Sequence, residues 1–566
     1  MIRRWVYPDE PDPSLVAALA KAVNVDQTVA RILIQRGVTG FDGAKNFFRP
    51  SLDMLHDPFL MTDMEQAVGR LRTAIGSKER ILVYGDYDVD GTTAVSLVFS
   101  YLKHLEADCS FYIPDRNSEG YGVSAAGIDH AIATGVNLVI ALDLGIKAAA
   151  MVDKAAAAGI DFIICDHHLP DATMPRAVAV LDPKRPDCTY PFNELSGCGI
   201  GFKLIQAYAR KYGKEPDVFS FLDLVAVSIA ADIVPLIGEN RTLAYFGLQL
   251  LNREPRPGLR ALIDISGLRK SLDIDSIVFS IGPRINAAGR IAHAHGAVDL
   301  LIADSTDRAL ELAGQLNLRN AERREFDASI SEEAEAMIRA DEQEMKAFTT
   351  VVCRETWHKG VVGIVASRLL DKFYRPTIVL THSNGKITGS ARSVEGFDLH
   401  AALQQCSDLL EKFGGHRYAA GLTLDPEKLP AFRKRFEEVV RGTITDEQRI
   451  PVTRIDAVIG LQQITEKFFD VIRQMAPFGP SNLKPVFETR SVSLREQPML
   501  LKDRHLKFTA ITEGMDRGIS AICFDRPDLY EVVRTGHPFN MAYHIEENEF
   551  NGVTSLQIRI KDIQPA

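Results

Sequence analysis

Residues 81–93 read Ile-Leu-Val-Tyr-Gly-Asp-Tyr-Asp-Val-Asp-Gly-Thr-Thr, an apolar run that leads into carboxylates at alternate positions, Asp86, Asp88 and Asp90. Anions packed this closely repel one another unless cations or solvent screen them. Asp-x-Asp-x-Asp-Gly opens the EF-hand calcium loop. Here, however, the position that needs a bidentate Glu is Leu97, and a strand-like run stands where a helix should precede. The stretch reads instead as a strand that delivers carboxylates to divalent metals at its carboxyl end. The plainer alternative is a solvated acidic turn.

Further acids fall in the same kind of place. Strand-like runs at 80–86, 109–113, 137–143, 160–166 and 177–182 alternate with helical patterns at about 92–105, 123–134 and 146–158, followed by helices at about 199–212 and 217–234. Doubly apolar strands alternating with helices predict a mostly parallel sheet covered on both faces. Asp86, Asp143 and Asp166 each close one of these runs, so one sheet edge should gather them although they are distant in sequence. A helix N-cap explains one such acid but strains to explain all three. Asp166 opens Asp166-His167-His168, and imidazole beside carboxylate suits Mn²⁺, Mg²⁺ or Zn²⁺ better than Ca²⁺. Asp232, in the apolar helical stretch Ser-Ile-Ala-Ala-Asp-Ile-Val-Pro-Leu, needs a partner if ionised, and a metal is the simplest. Asp182-Pro183 reads as a turn rather than a ligand.

With 566 residues, the chain should hold roughly three or four domains. No apolar stretch resembles a secretory signal or a membrane span, and the seven cysteines form no Cys-x-x-Cys pair, so a reducing cytoplasm without membrane attachment is expected. A net charge of −10 does not exclude a polyanionic substrate, because an acidic metal cluster absorbs much of it and a local basic groove is what matters.

The rest of the chain supplies candidate anion binders. Gly197-Cys198-Gly199-Ile200-Gly201 misses the dinucleotide spacing and reads as close backbone packing at a helix start. Gly282–Arg290 places Arg284, Asn286 and Arg290 among small residues, where Arg forks suit phosphate. Residues 304–345 read as one or two long charged helices with solvated faces. A second α/β unit begins near 347 and carries Gly389-Ser390-Ala391-Arg392-Ser393 and Gly414-Gly415-His416, Gly-flanked donors suited to phosphate oxygens. From about 450, short alternating runs with a turn-rich Glu-Glu-Asn-Glu-Phe-Asn-Gly predict a small β-barrel such as an OB-fold, with Lys502, Arg504, His505, Lys507 and Phe508 as candidate strand contacts.

These motifs resemble those of the DHH phosphoesterase superfamily. Asp86-Tyr87-Asp88-Val89-Asp90-Gly91 is similar to its first motif, Asp143 to its second, Asp166-His167-His168 to its third and Asp232 to its fourth. Gly414-Gly415-His416 resembles the signature of the associated DHHA1 domain. Length, the β-rich tail, and the stretches 85–94, 282–290 and 389–393 most resemble the bacterial single-strand-specific DNA exonucleases of that superfamily. Apolar residues at helical spacing in 1–50 predict a helical lead-in. With the resemblance, which covers the chain from about residue 40, the expected whole is a multidomain α/β chain: lead-in at 1–50, a parallel-sheet DHH domain at 51–300, a helical connector at 301–345, a smaller α/β DHHA1 domain at 346–445 and an OB-like domain at 446–566.

The resemblance further implies 5′→3′ release of mononucleotides from single-stranded DNA, in repair and recombination, alongside a single-strand-binding protein and a RecQ-type helicase. Two Mg²⁺ or Mn²⁺ ions would be held by Asp88, Asp90, Asp143, His167 and Asp232, with Asp143 bridging, and with Asp86 as a further ligand. Asp166 and His168 complete the catalytic set. Arg116, Ser390, Arg392, Gly415 and His416 would bind the terminal phosphate, and Arg284, Asn286 and Arg290 the strand. The rival within the superfamily is a hydrolase of short oligonucleotides, cyclic dinucleotides or pAp, which does not need the β-rich tail. A non-catalytic single-strand binder is a third reading, opposed by the presence of every expected acid and the His pair.

Overall fold

The computed structural model describes residues 3–566 apart from Asn117 and Ala292, and of Phe550 the backbone alone. The chain forms two compact units. The first comprises Gly40–Ala321 and Met475–Lys484; the second comprises the residues up to Thr39, Glu322–Gln474 and Pro485–Ala566.

The first unit is built on five parallel strands, β1 Ile81–Gly85, β2 Cys109–Tyr112, β3 Leu138–Leu142, β4 Asp161–Cys165 and β5 Ala179–Leu181, in the order β2-β1-β3-β4-β5. β1 and β3 are buried along their whole length because both faces of the sheet are covered. Ile81, Val83, Leu138 and Ile140 pack towards α1 (Val89–His104), while Leu82, Tyr84 and Val139 pack on the opposite side with Ile128 of α2 (Ala125–Ala133) and Val152 of α3 (Ala149–Ala157). Two further helices, α4 (Gly197–Tyr212) and α5 (Leu222–Ala231), join α1 in the larger core. Truncating one of these strand residues, Ile140→Ala for instance, should cost about 2–5 kcal/mol. The chain reverses direction across the sheet between β1 and β3. That is the switch point outside which open α/β sheets bind their ligands.

The charged stretch after residue 304 forms one helix of 34 residues, α6 (Thr306–Arg339), and a short turn of helix at Glu342–Lys346. The division between the units falls inside α6.

The second unit holds a mixed sheet of β6 Thr350–Arg354, β7 Thr377–Ser383, β8 Lys386–Arg392, β9 Lys412–His416 and β10 Ala419–Leu424, ordered β9-β10-β8-β7-β6. Helix α7 (Val362–Phe373) contributes Val362, Val365 and Leu369 to one core, and Phe432, Phe436 and Val440 of helix Leu429–Thr443 contribute to another. The C-terminal residues form a seven-stranded OB-like sheet in which Phe487–Leu494 pairs with both Phe539–Phe550 and His505–Ile511, so that the sheet returns on itself.

Three local expectations are corrected. Residues up to 50 are not wholly helical, since Arg4–Val6 is a strand paired in parallel with Val452–Arg454. Glu546–Phe550 is strand rather than turn, and the hairpin reverses at Asn551-Gly552 alone. Both of those residues have positive φ (50° and 76°), as a type I′ turn requires. Phe508 is 3% exposed and belongs to the core of the β-rich region, so it offers no stacking face to a strand.

Candidate metal centre

Asp86, Asp143, Asp166 and Asp182 are each the first residue beyond a strand, so the strands end one residue earlier than the sequence pattern placed the ends of the runs. At Asp143 the backbone turns to φ 62°, which ends the extended conformation of β3 and redirects the side chain. Asp88 caps the N-terminus of α1 by accepting from the Gly91 N–H at 3.0 Å, and Asp90 follows within the first turn. Asp232 caps the C-terminus of α5. Parallel strands and helix ends therefore bring acids spread over some 150 residues to one edge.

There the side chains converge on His167. Its Nε2 lies 3.2 Å from Asp143 Oδ1, 3.7 Å from Asp232 Oδ2 and 3.8 Å from Asp90 Oδ2. Three overlapping groups, Asp86/Asp88/Asp143, Asp90/His167/Asp232 and Asp143/His167/His168, each present ligand atoms within 4.8 Å of one another, close enough to hold a metal ion. Asp86 Oδ1, Asp143 Oδ1 and His167 Nδ1 are buried without a hydrogen-bond partner. The contact from Asp143 to His167 is short but lacks hydrogen-bond geometry. Orphaned buried acceptors are rare in folded proteins, and a carboxylate/imidazole set around one point fits Mg²⁺ or Mn²⁺.

Electrostatics point the same way. Burial, with Asp88 next to it, pushes the Asp86 carboxyl well above the carboxylate range. Burial and the neighbouring Asp90, Asp88, Asp86 and Asp232 do the same to Asp143. Burial together with Asp90 and Asp88 raises Asp232 to about 9. Burial lowers His167, favouring the neutral imidazole that ligates metals. Asp166 behaves differently. Burial pushes it up, but its bond with His168 and the Ile146 N–H more than compensate, and it stays below its ordinary value. In return Asp166 raises His168 against burial, through a 2.7 Å bond to Nδ1. Asp166 thus orients the His pair, and its Oδ1 also accepts from the His167 and His168 backbone N–H groups.

The support for Asp90 comes from residues whose sequence context announces no part in a metal site. The Gly197 and Cys198 N–H groups at the start of α4 donate to its two oxygens at 2.7 and 2.8 Å, and Ser228 Oγ donates at 2.6 Å. The Gly197–Gly201 stretch is close backbone packing at a helix start, as expected, because a Cβ at Gly197 would come within 2.6 Å of Asp143 Cβ. The signal for its further use was the positive end of a helix dipole needing an anion. Asp182 forms the turn expected of Asp-Pro, accepting from the Lys184 N–H, although burial raises it to about 7.

Of the proposed substrate binders in this unit, Arg116 lies 5.1 Å from the Tyr87 ring. Arg284 is held by Asn317 and the Ser280 carbonyl. Helix Gly282–Ile291, with Asn286 and Arg290, packs so close that a Cβ at Gly289 would meet the Tyr87 carbonyl at 2.8 Å. In the second unit, strand register aligns His416, Ala419 and Arg392 in one row and Gly414, Gly421 and Ser390 in the row two residues along. Ser390 and Arg392 share a face. They approach the start of α7, where a Cβ on Gly363 would be 3.1 Å from both Ser390 Oγ and Arg392 Nη2. Gly415 has φ 143°, and a Cβ there would strike the Ala419 carbonyl at 2.3 Å. The result is a cationic face with glycines where side chains would otherwise fill it.

Comparison with known proteins gives a consistent picture. Residues 80–229 match the DHH family N-terminal domain, 344–442 the DHHA1 domain and 455–562 the RecJ OB domain. The chain is 38% identical over 563 residues to the single-stranded-DNA-specific exonuclease RecJ of Bacillus subtilis, covering 99% of this chain and 70% of that one. It is also similar to the crystal structures of RecJ from Thermus thermophilus in complex with Mn²⁺ (TM-score 0.85, 27% identity, 100% of this chain and 80% of that one) and with Mg²⁺ (TM-score 0.80, 26% identity, 100% and 78%).

Proposed function

Because the chain belongs to the RecJ family of DHH phosphoesterases, we propose that it is a single-stranded-DNA-specific exonuclease that releases 5′-mononucleotides in the 5′→3′ direction. The observation that carries the reading is the convergence of Asp86, Asp88, Asp90, Asp143, Asp232 and His167, with buried acceptors left unpaired, at the switch point of a parallel sheet. The RecJ-type OB domain supports long strands over dinucleotides or pAp as substrate.

Asp88, Asp90, Asp143, His167 and Asp232 would hold two Mg²⁺ or Mn²⁺ ions, with Asp86 beside them and Asp143 between the groups. Bound there, the ions supply Lewis-acid stabilisation of phosphate charge and lower the pKa of water. The protein's own part is positional. Gly197, Cys198 and Ser228 fix Asp90. Asp166 holds His168 through Nδ1, leaving Nε2 to face phosphate or solvent beside Tyr121. Arg116 places a guanidinium next to the Asp86–Tyr87 turn. Ser390, Arg392 and His416, with glycines at 414, 415 and 421, suit a terminal phosphate, whose monoester carries more charge than an internal diester. Arg284, Asn286 and Arg290 suit the strand's backbone. The OB-like domain, with Lys502, Arg504, His505 and Lys507, suits the strand further along.

This activity fits DNA repair and recombination in the cytoplasm, with a single-strand-binding protein and a RecQ-type helicase as candidate partners. Among the described residues no helix is long and apolar enough to cross a membrane. The test is a long single strand labelled separately at each end, incubated with Mn²⁺ or Mg²⁺. Prompt release of 5′-labelled mononucleotide, absent with Asp143→Ala, is the expected result. Survival of long strands while pAp or dinucleotides are cleaved would overturn it.

A further inference from the structure

One cavity beside the metal centre has no part in the mechanism above. It has a volume of about 280 Å³ and is walled by Tyr121, Val123, Ile146, Ala148 and Met151, with Asp166 and His168 also in its lining and Lys147 at its rim. The His167 and His168 rings are 4.6 Å apart, so this cleft and the metal centre share a wall one ring thick. A group tethered to a phosphate at His167 could reach it without leaving the site.

The backbone at and beside the cleft favours glycine. Gly145, at φ 114°, forms part of its lining, and a Cβ there would press on Ile164 at 3.2 Å. Gly120 and Gly122, at φ 87° and 93°, flank Tyr121 and have open space where a side chain would stand. Tyr121 is 58% exposed, and its hydroxyl lies 3.2 Å from His168 Nε2. An exposed aromatic ring, set between two such glycines at the mouth of a mostly apolar cleft, is a stacking surface. The volume falls just below the range of drug-sized sites and suits one planar ring system.

We propose that this cleft receives the nucleobase of the 5′-terminal nucleotide, the one released when its 3′ phosphodiester is cleaved at the metal centre. The proposal rests on the exonuclease reading and adds the subsite that grips the outgoing nucleotide. Its apolar walls offer flat contact, and the Asp166 carboxylate in its lining is already engaged by the His pair and the Ile146 N–H, so the cleft recognises the face of a base rather than its edge. Stacking of that kind tolerates every base, because each has a π-face, and an apolar pocket discriminates weakly between rings of similar size. The four bases should therefore leave at similar rates, whereas a terminal nucleotide with no base should not.

The experiment compares two 5′-phosphorylated single strands, identical except that the first nucleotide carries thymine or is an abasic tetrahydrofuran analogue. In the wild-type enzyme kcat/KM should favour the thymine strand by about tenfold, the worth of one lost base stack. Ala148→Trp, which fills the cleft, should bring the two strands to near parity by slowing only the thymine strand. Tyr121→Ala, at an exposed position that puts folding at little risk, should narrow the preference part of the way. Equal handling of both strands by the active wild type would overturn the cleft and leave the exonuclease reading standing. So would a full preference surviving in the folded Tyr121→Ala and Ala148→Trp proteins. Inactivity of the wild type on both strands would bring down the exonuclease reading and the cleft with it.

Discussion

Two of the places where the first unit buries charge are built in opposite ways. Lys203 and Glu239 form an ion pair at 2.6 Å with side chains 0% and 1% exposed. Glu239 also accepts from the Tyr190 hydroxyl and the His56 N–H, and Lys203 donates to the His56 carbonyl. One charge answers the other, and each lone pair named has a donor. At the metal centre, Asp90, Asp143 and Asp232 face a histidine that burial keeps towards its neutral form, and acceptors on Asp86 and Asp143 stay orphaned. Burial of charge is thus common to structure and function in this fold. What separates them is closure: the Lys203 network is complete within the chain, whereas the acidic cluster needs something from outside.

That contrast breaks if removing one acid behaves like removing the lysine. Asp143→Asn should lower nucleotide release by at least about 10²-fold, since it removes a carboxylate that would hold the metal ions. It should leave the melting temperature in EDTA unchanged or higher, because it neutralises a carboxyl that the fold already pushes towards protonation. Retained activity, or a melting temperature that falls steeply, would sink the distinction. Lys203→Met should do the reverse and destabilise the unit by about 3–5 kcal/mol, by leaving Glu239 buried and unpaired. Denaturant melts would show this, and a second change, Glu239→Leu, should recover much of the loss.

A smaller effect sharpens the comparison through pH. Asp86 and Asp143 are held well above the carboxylate range, and Asp232 at about 9. As pH rises past the ordinary carboxylate range of about 4, the unfolded chain releases these protons first. The metal-free folded state then binds more protons than the unfolded one, so its stability declines from there up towards about 9. Mn²⁺ takes the place of those protons. Its stabilisation, about 2.7 kcal/mol at a hundredfold excess over Kd, should be larger near pH 8 than near pH 5.5. Thermal melts with and without Mn²⁺ at both pH values check this, and a shift that shrinks as pH rises would contradict it.

What was legible in the sequence follows from periodicity and topology. Apolar runs ending in Asp86, Asp143 and Asp166 announce parallel strands, and parallel strands put their carboxyl ends on one edge. Phe508 shows a rule applied incompletely. In His505–Ile511 alternate residues point inward, and Phe508 shares the inward face with Leu506 and Ala510. Its aromatic character suggested stacking, but the strand period already placed it in the core. Other features lay beyond sequence reasoning because distant packing decides them. The pairing of Arg4–Val6 with Val452–Arg454 joins segments far apart in the chain. Nothing local to Ser228, one small residue in the apolar run of α5, marks it as a donor to an acid 138 positions away.

Ser228 therefore supplies the finest test of the comparison, because it stands where the open cluster meets the closed packing behind it. Its hydroxyl donates to Asp90 Oδ1 at 2.6 Å and is also paired with Ser196 Oγ at 2.6 Å. Ser228→Ala removes one of three donors that hold Asp90 and leaves the Gly197 and Cys198 N–H groups in place. If Asp90 ligates metal, losing an orienting partner should weaken Mn²⁺ binding about tenfold or somewhat more, with the acid itself intact. Activity should then recover as Mn²⁺ is raised, which Asp143→Asn cannot do. If the cluster were closed like the Lys203 network, Ser228→Ala would cost folding stability, and added Mn²⁺ would restore nothing. A Mn²⁺ titration of activity and of melting temperature in this one variant separates the two.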